Sequence, residues 1–413
     1  AKQCKSILAS RLGGDEFVIL MECTCTEQEI TAFTSDLQGI VSEPFYVQGH
    51  EIRMTVSIGI TSSAANHARA EDILRDADTA MYHAKNSGKA RHAIFDKKMH
   101  EAVLEKLRLE SDLRHAIERN ELAVYHQPIV SLGSGQLLGF EALVRWHHPE
   151  RGIVSPLDFI PIAEETGMIV PIGEWILRES CRQFASWQEK YGEQAPQFIS
   201  VNLSRRQLDE KNLVDIVADV LKQHRFDPAQ LKLEITESLF VEDFNTVSQT
   251  LASLKELGVQ LSMDDFGTGY SSMSCLHKFP IDCLKIDRAF IRNMTDHRNY
   301  AAVVYAIISL AHNLGIQVIA EGLETAEQVA ELQALDCDMA QGYFFSKPMP
   351  LDITEKYIAE AGNKLVRKVC ESGSSRQVAA GIPSRTYACK GPDAFPIADF
   401  QFSIDSSAFQ FYL

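Results

Sequence analysis

The chain has 413 residues, of which 45% are hydrophobic and 23% are charged, and its formal net charge at pH 7 is −16. Such a length and composition are typical of a soluble protein with two or three domains and a large core. The acidic balance excludes a polymeric nucleic acid as the expected partner, because binding one depends on a cationic surface, whereas a small anionic ligand is compatible with bound metal ions.

Nine cysteines are scattered without a CxxC pair, which favours free thiols in a reducing cytosol over a disulfide framework or a zinc site. No signal peptide and no apolar run long enough to span a membrane are predicted. The most apolar stretch, Ala301–Gly315, is interpreted as a buried helix. Because the chain begins with Ala1 and runs directly into a motif, we expect a cytoplasmic fragment whose membrane link, if any, comes from an upstream region.

Residues 1–95 predict a piece of one α/β unit. ASRLGGDEFVILMEC places Gly13 and Gly14 in a turn before an apolar strand, and MTVSIGIT provides another strand pattern. DILRDADTAMYHAKNSG predicts a helix that stops at Gly88. One stripe of this helix is small and apolar, at Ala77, Ala80, Met81 and Ala84.

Residues 96–120 have a charged, helical pattern, and we interpret them as a connecting helix or helix pair. Coiled-coil dimerisation is a weaker alternative, because the heptads are too few. The apolar positions predict one buried face, formed by Met99, Val103, Leu107, Leu113 and Ile117.

Strands and helices alternate over residues 121–361. The predicted strands are Leu122–Val130, Leu138–Trp146, Phe198–Asn202, Leu231–Thr236, Gln260–Asp265, Cys283–Asp287, Gln317–Ala320 and a short one that ends near Gln341. Helical patterns separate most of them, for example Gly173–Tyr191, Asp209–His224, Phe244–Leu257 and Tyr300–Leu314. Eight strands with interleaved helices indicate an α/β fold, a (β/α)₈ barrel. The Ser-, Gly- and Pro-rich tail at 362–413 is expected to be poorly ordered or loosely docked.

Seven polar clusters lie at or near the ends of these predicted strands. They are Glu141 in EALVRW, Asn202 in SVNLS, Glu234 in KLEITES, Asp264–Asp265 in LSMDDFGTGYSS, Lys285 in LKID, Glu321 in VIAEGLET and Gln341 in QGYFFSKP. The active site of such a barrel lies at the carboxyl ends of its strands. Buried carboxylates are unfavourable unless a cation compensates them, and converging oxygen ligands favour Mg²⁺ or Mn²⁺. The sequence therefore predicts a metal-dependent enzyme.

The aspartate pair suggests a site for two metal ions. Glu141, Asn202, Glu234 and Asp264 would give one cation four oxygen ligands. Consecutive residues normally point to opposite faces of a strand, but a backbone turn directly after the strand would aim Asp264 and Asp265 into one site. Asp264 would then bridge two metal ions, an arrangement suited to in-line attack on a phosphodiester.

Several of these residues have structural alternatives. Taken alone, Lys285 is predicted to be an exposed lysine in a salt bridge beside Asp287, whereas among carboxylates it would orient or deprotonate the attacking water. His147 and His148 lack a third histidine at ligand spacing and are interpreted as surface or core-edge residues. The GTGYSS segment is either a tight barrel loop or a mobile lid.

These motifs resemble a known family. EALVRW, SVNLS, EITES, DDFGTGYSS, LKID, AEGLET and QGYFFSKP resemble the EAL domain of cyclic di-GMP phosphodiesterases, and RLGGDEFVIL, VSIGIT and DADTAMYHAKNSGKAR resemble the second half of a GGDEF diguanylate cyclase domain. The chain is thus similar to tandem GGDEF–EAL signalling proteins. The resemblance implies a partial α/β GGDEF domain at 1–95, a helical linker at 96–120 and a TIM-like EAL barrel at 121–361, often with an antiparallel first strand.

The resemblance also implies hydrolysis of cyclic di-GMP to linear pGpG with two Mg²⁺ or Mn²⁺ ions, and a homodimer through the EAL domain. The implied metal ligands are Glu141, Asn202, Glu234, Asp264, Asp265 and Glu321, and the implied catalytic residues are Lys285, Glu321 and Glu141. The implied substrate contacts are Gln127 in YHQPIV, Leu143, Arg145, Glu324 and Gln341. Glu237 would anchor the DDFGTGYSS loop.

The GGDEF portion departs from its family. The strand and helix that precede its signature are missing, together with a metal-binding aspartate, and Cys4 and Ile7 occupy the two positions of the inhibitory RxxD motif. This portion is therefore not expected to be an active cyclase, and its incomplete sheet would leave an unpaired edge. For the EAL portion, the alternatives are a non-catalytic cyclic di-GMP receptor and a barrel that acts on another phosphodiester.

Overall fold

The structure, a computed structural model, describes residues 4–23, 26–62, 69–237, 244–267, 279–295 and 297–360. The predicted disordered tail at 362–413 and residues 268–272 of the GTGYSS segment lie outside the described residues.

The N-terminal part contains, in chain order, β1 (Cys4–Gly13), β2 (Glu16–Cys23), α1 (Glu27–Ser42), β3 (Phe45–Val47), β4 (His50–Ile52), β5 (Ile58–Ile60), α2 (Ala70–Asn86) and β6 (His92–Ile94). Among the described residues these strands form two-stranded sheets, with β1–β2 and β3–β4 antiparallel and β5–β6 parallel. Large apolar side chains of the β1–β2 hairpin are exposed, and Phe17 keeps 68% of its surface accessible. The described strands therefore do not form one continuous sheet.

Helix α2 packs on β5 through its predicted stripe. Ala80 and Ala84 are buried, and the helix ends at Asn86, just before Gly88 in the left-handed region at φ +115°. A Cβ atom at Gly59 of β5 would collide with the backbone of Ala77 and Met81. Glycine at this position therefore allows the helix and the strand to approach closely.

Helix α3 (Lys97–Leu113) follows β6 and is capped by Asp96, whose side chain accepts a hydrogen bond from the Lys98 backbone N–H. The prediction that Leu107 is buried is wrong, because 56% of it is exposed, whereas Leu109 and Leu113 are buried. Residues two apart on a helix point about 200° apart. The barrel packs on the face of Leu109, so Leu107 faces away from it.

The C-terminal part contains β7 (Leu122–Ser131), β8 (Leu137–His148), β9 (Gly152–Val154), α4 (Pro156–Thr166), α5 (Ile169–Tyr191), β10 (Phe198–Asn202), α6 (Arg205–Leu208), α7 (Leu213–Gln223), β11 (Leu231–Thr236), α8 (Phe244–Glu256), β12 (Gln260–Phe266), β13 (Cys283–Ile286), α9 (Arg288–Met294), α10 (Arg298–Asn313), β14 (Gln317–Ala320), α11 (Ala326–Ala334), β15 (Met339–Gln341) and α12 (351–360). All eight predicted strands are confirmed, and their ends agree to within two residues.

These strands close into a TIM-like barrel. The hydrogen-bonded order is β10-β11-β12-β13-β14-β15-β7-β8, and a parallel pairing of β8 with β10 closes the ring. Strand β7 is antiparallel to both of its neighbours, β8 and β15. The carboxyl ends of the other seven strands therefore meet at one rim, and β7 contributes the residues near its amino end to that rim.

An apolar layer fills the barrel below this rim. It consists of Ile129, Phe198, Cys283, Ile319 and Met339, all buried. Because side chains alternate along a strand, the inward-facing residues Lys285, Glu321 and Gln341 each lie two positions beyond a member of this layer. The polar rim therefore lies directly above this buried apolar layer.

The prediction that Ala301–Gly315 is a buried helix is correct for one face only. Val304 and Ile308 of α10 are buried, whereas Val303 and Tyr305 are exposed. No helix in the described ranges combines the length and apolar character needed to cross a membrane.

The His126 side chain, on the outer face of β7, lies in an apolar environment. Its ring packs edge-on against Trp187 at a centroid distance of 4.8 Å, and Thr354 Oγ1 lies 3.4 Å from its Nδ1. Burial lowers the pKa of His126 to about 3. The folded barrel therefore holds this imidazole neutral at pH values where an unfolded chain would protonate it.

We expect His126 to make the barrel less stable as the pH falls below about 6.5, because protons then bind the unfolded chain preferentially. The loss is about 2 kcal/mol at pH 5 relative to pH 7.5. His126→Phe keeps an aromatic ring but removes this component. Denaturant unfolding at both pH values, followed by tryptophan fluorescence, measures it, since Trp146, Trp175 and Trp187 all lie in the barrel part. An equal pH effect in both proteins would contradict the expectation.

Candidate active site

Lys285 lies at the centre of the carboxyl-end rim. Its side chain is only 1% exposed, and its Nζ is surrounded by carboxylates from β8, β11, β12 and the residue directly after β14: 2.7 Å from Glu234, 2.6 Å from Glu321, 3.3 Å from Asp264 and 3.6 Å from Glu141. We call these five residues the Lys285 cluster. The alternative of an exposed lysine in a salt bridge is wrong, because Lys285 is buried among these carboxylates. The neighbouring Asp287 instead caps α9 by accepting a hydrogen bond from the Ala289 backbone N–H.

Amide side chains hold Glu141 in place. Asn202 Nδ2 donates to Glu141 Oε1 at 2.8 Å, and Gln341 Nε2 donates to Glu141 Oε2 at 2.5 Å. Gln341 Nε2 also lies 3.0 Å from Gln127 Oε1. Burial works to raise the pKa of Glu141, but the Lys285 charge and these hydrogen bonds outweigh it, so the pKa lies below its usual value. Glu141 is therefore ionised at neutral pH.

The cluster contains more carboxylates than ammonium groups. Burial, together with the neighbouring acids, raises the pKa of Glu234 well above its usual value and that of Glu321 to about 8. The pKa of Lys285 is also raised, because the carboxylates around it outweigh the effect of burial. One ammonium group therefore does not balance four carboxylates, and a further cation would be favourable.

Two buried oxygens fit such a cation. Glu234 Oε1 and Gln341 Oε1 are buried and make no hydrogen bond with the part of the chain that the structure describes. Unpaired buried acceptors are unfavourable, and carboxylate and amide oxygens are ligands that hard divalent cations prefer. The donor set therefore suits a divalent metal.

Asp264 and Asp265 point into one site because the backbone of β12 departs from regular strand geometry at these two residues. Asp265 has a left-handed φ of +55°, and the register with β13 shifts between Met263 and Phe266. The turn was predicted directly after the strand, whereas it is an irregularity near the strand's end. Carboxylate oxygens of Asp264, Asp265 and Glu321 lie within 4.8 Å of one another, close enough to hold a cation together.

Glu237 joins the ends of β11 and β12. It is buried, and its Oε2 accepts a hydrogen bond from the Gly267 backbone N–H at 2.7 Å. This contact lies at the first glycine of the GTGYSS segment, the remainder of which falls outside the described residues.

The predicted substrate residues occupy different positions. Gln341 contacts the cluster through Glu141, and Gln127 contacts Gln341. Leu143 and Arg145 lie further along β8 on the same face as Glu141. The Arg145 guanidinium lies 5.6 Å from the centroid of the Tyr125 ring. Sequence reasoning missed Tyr125, although this residue lies only two positions before Gln127. Glu324 is exposed, and its side chain makes no hydrogen bond or ion pair with any residue that the structure describes. It is not brought into the cluster.

The histidine interpretation is confirmed for both residues. His148 is buried at the core edge with its Nε2 3.2 Å from Asp112, and His147 is exposed. The described cysteines Cys181, Cys283 and Cys337 are buried free thiols, as expected.

Fold and site together define a class of protein: a TIM-like barrel with a candidate divalent-cation centre at the carboxyl ends of its strands. The chain belongs to the EAL domain family, whose model matches residues 110–348. A second model, of the GGDEF domain of diguanylate cyclases, matches residues 3–91. The order of the two matches is that of a GGDEF–EAL protein.

Two of the similar proteins carry names that refer to cyclic di-GMP. The bifunctional diguanylate cyclase/cyclic di-GMP phosphodiesterase MucR of Pseudomonas aeruginosa is 40% identical over 83% of this chain and 50% of its own length. The cyclic di-GMP phosphodiesterase PdeR of Escherichia coli is 37% identical over 84% of this chain and 52% of its own. The chain spans about half the length of the curated relatives it matches. A solved structure of the PaMucR phosphodiesterase in complex with c-di-GMP has a TM-score of 0.57 at 42% identity, covering 60% of this chain and 99% of that one.

We expect Lys285→Met to lower the free energy of unfolding in metal-free buffer by about 3–5 kcal/mol, because it leaves buried carboxylates without their ammonium partner. Lys232→Met is a matched control. Lys232 is also buried, but its Nζ lies over the Phe198 ring at 3.9 Å and forms no ion pair with any described residue. Tryptophan-monitored unfolding compares the two variants. Equal losses would contradict the central role of the carboxylates.

Divalent metal should stabilise the barrel by mass action, by about 2.7 kcal/mol at a concentration 100 times the dissociation constant. The melting midpoint of the wild-type chain in Mg²⁺ or Mn²⁺ should rise, whereas that of Asp264→Asn should rise much less. Glu355→Gln removes a carboxylate that pairs with Lys190 on the surface, and this control should respond as the wild type does. A wild-type midpoint that ignores both metals would refute the cation centre.

Proposed function

We propose that this chain hydrolyses cyclic di-GMP to linear pGpG with the help of two divalent metal ions, Mg²⁺ or Mn²⁺. The observation that carries the proposal is the Lys285 cluster, in which carboxylates from four strands converge on one buried ammonium at the active-site rim of the barrel. The similarity to MucR and PdeR supports cyclic di-GMP as the substrate.

The proposed metal ligands form two overlapping sets. Glu141, Asn202, Glu234 and Asp264 would hold one ion, and Asp264, Asp265 and Glu321 would hold the other. When bound, such ions lower the pKa of a coordinated water and stabilise charge on the phosphoryl oxygens. The proximity of the Asp264, Asp265 and Glu321 oxygens supports the second set.

Lys285 would orient the attacking water rather than deprotonate it. Four carboxylates raise its pKa against the effect of burial, so its Nζ stays protonated and has no lone pair with which to accept a proton. It can donate hydrogen bonds and provide positive charge. With a pKa raised by burial to about 8, Glu321 is largely protonated at pH 7 in the metal-free site, so it could accept a proton only in its ionised form. Glu141 would stay ionised.

Arg145 would bind a substrate phosphate. Its guanidinium can contact two phosphate oxygens at once, and partial burial of the side chain strengthens such a contact. Gln127, Gln341 and Leu143 would line the same cleft, and Glu324 would contact substrate only if substrate extends beyond the cluster. The Gly267 contact supports loop anchoring by Glu237. The homodimer, the cytoplasmic location and the lack of cyclase activity stay predictions.

Incubation of the full chain with cyclic di-GMP and Mg²⁺ or Mn²⁺, followed by chromatography, tests the proposal. We expect metal-dependent formation of pGpG, at least ~100-fold less in Glu141→Gln and Asp264→Asn because each removes a ligand, and wild-type rates in Glu355→Gln. Wild-type rates in both ligand variants would overturn the metal assignment. Binding of cyclic di-GMP by the wild type without any product would instead favour the receptor alternative.

A further inference from the structure

The segment that follows β15, residues 342–347, has a fixed backbone. Phe344 N–H donates to the Leu323 carbonyl at 2.8 Å, and Leu323 N–H donates to the Gln341 carbonyl at 3.2 Å. A Cβ atom at Gly342 would collide with the Leu323 backbone, so the close approach of these two chain segments requires glycine. The segment is therefore held against the loop that follows β14.

The same segment borders the Lys285 cluster at both of its ends. Gln341, directly before it, donates to Glu141, and Gln127 Nε2 donates to the Ser346 carbonyl at 3.1 Å. The segment is therefore attached next to Gln127 and Gln341, two of the proposed substrate residues.

Tyr343 is the exposed aromatic residue of this segment. It keeps 58% of its surface accessible, whereas Phe345 is buried in the core. The Lys347 Nζ lies 5.4 Å from the centroid of the Tyr343 ring. Tyr343 also lies close enough to Arg145 to interact with it electrostatically. A large apolar ring on a rigid backbone is thus presented beside the proposed phosphate contact.

We propose that Tyr343 is the platform on which a purine base of the substrate stacks, with Lys347 beside it as a second cationic contact. The inference rests on the proposed function and adds the part of the site that recognises the base. The floor of the site is anionic and suits metal-bound phosphate, whereas the Tyr343 side offers an aromatic face and two cations. Stacking of bases on aromatic side chains is a general means of nucleotide recognition, and the larger purine ring covers more of a tyrosine than a pyrimidine does.

Steady-state turnover of cyclic di-GMP by variants of the full chain tests this inference. One stacked base contributes about a 10-fold or larger effect on affinity. We therefore expect Tyr343→Ala to raise KM by ~10-fold or more with a smaller change in kcat, and Tyr343→Phe, which keeps the ring, to restore the wild-type KM. Tyr343→Leu keeps apolar surface without an aromatic ring and should behave as Tyr343→Ala does. Tyr46→Ala, at a 71% exposed tyrosine of β3, is the control and should match the wild type.

A second measurement distinguishes stacking from a structural role. Cyclic di-UMP, added as a competitor, should inhibit the wild type more weakly than a cyclic dipurine, and this difference should shrink in Tyr343→Ala. Unchanged KM in Tyr343→Ala, or an equal loss for purine and pyrimidine competitors, would overturn the inference while leaving the proposed function intact. A wild-type chain that neither binds nor cleaves cyclic di-GMP would overturn both.

Discussion

The ammonium of Lys285 makes it possible to bury four carboxylates inside a barrel. Like charges in a medium of low polarity repel one another strongly, and without a central cation Glu141, Glu234, Asp264 and Glu321 would not share one site in ionised form. The compensation is partial, since the pKa of Glu321 is still raised to about 8. The site therefore has a fixed positive centre and a remaining demand for positive charge, which is the electrostatic condition for recruiting metal ions.

The barrel provides the geometry for this arrangement. Parallel strands bring residues that are far apart in sequence to one rim. The apolar layer that includes Ile129 and Cys283 separates the cluster from the other end of the barrel. The antiparallel β7 is the exception, and it places Gln127 opposite Glu141 in the strand register. Gln127 then links Gln341, which contacts Glu141, to Ser346 in the segment after β15.

Sequence reasoning predicted all eight barrel strands because each has a short apolar run, and it predicted the polar strand ends because they interrupt those runs. The residues next to Lys285 in the sequence did not predict its burial, because this burial depends on carboxylates that other strands contribute. It placed Leu107 on the wrong helix face, because helical spacing alone does not say which face the barrel covers. Tyr343 was not singled out, because its exposure depends on the Leu323 hydrogen bonds that hold its segment.

The central claim is that the Lys285 cluster holds divalent metal. Anomalous diffraction at the manganese absorption edge, from crystals of the chain grown with Mn²⁺, tests it most directly. The account predicts a strong anomalous peak between the carboxylates of Asp264, Asp265 and Glu321, and a second beside Glu141, Asn202 and Glu234. A well-ordered cluster with no anomalous peak near Asp264 would contradict it.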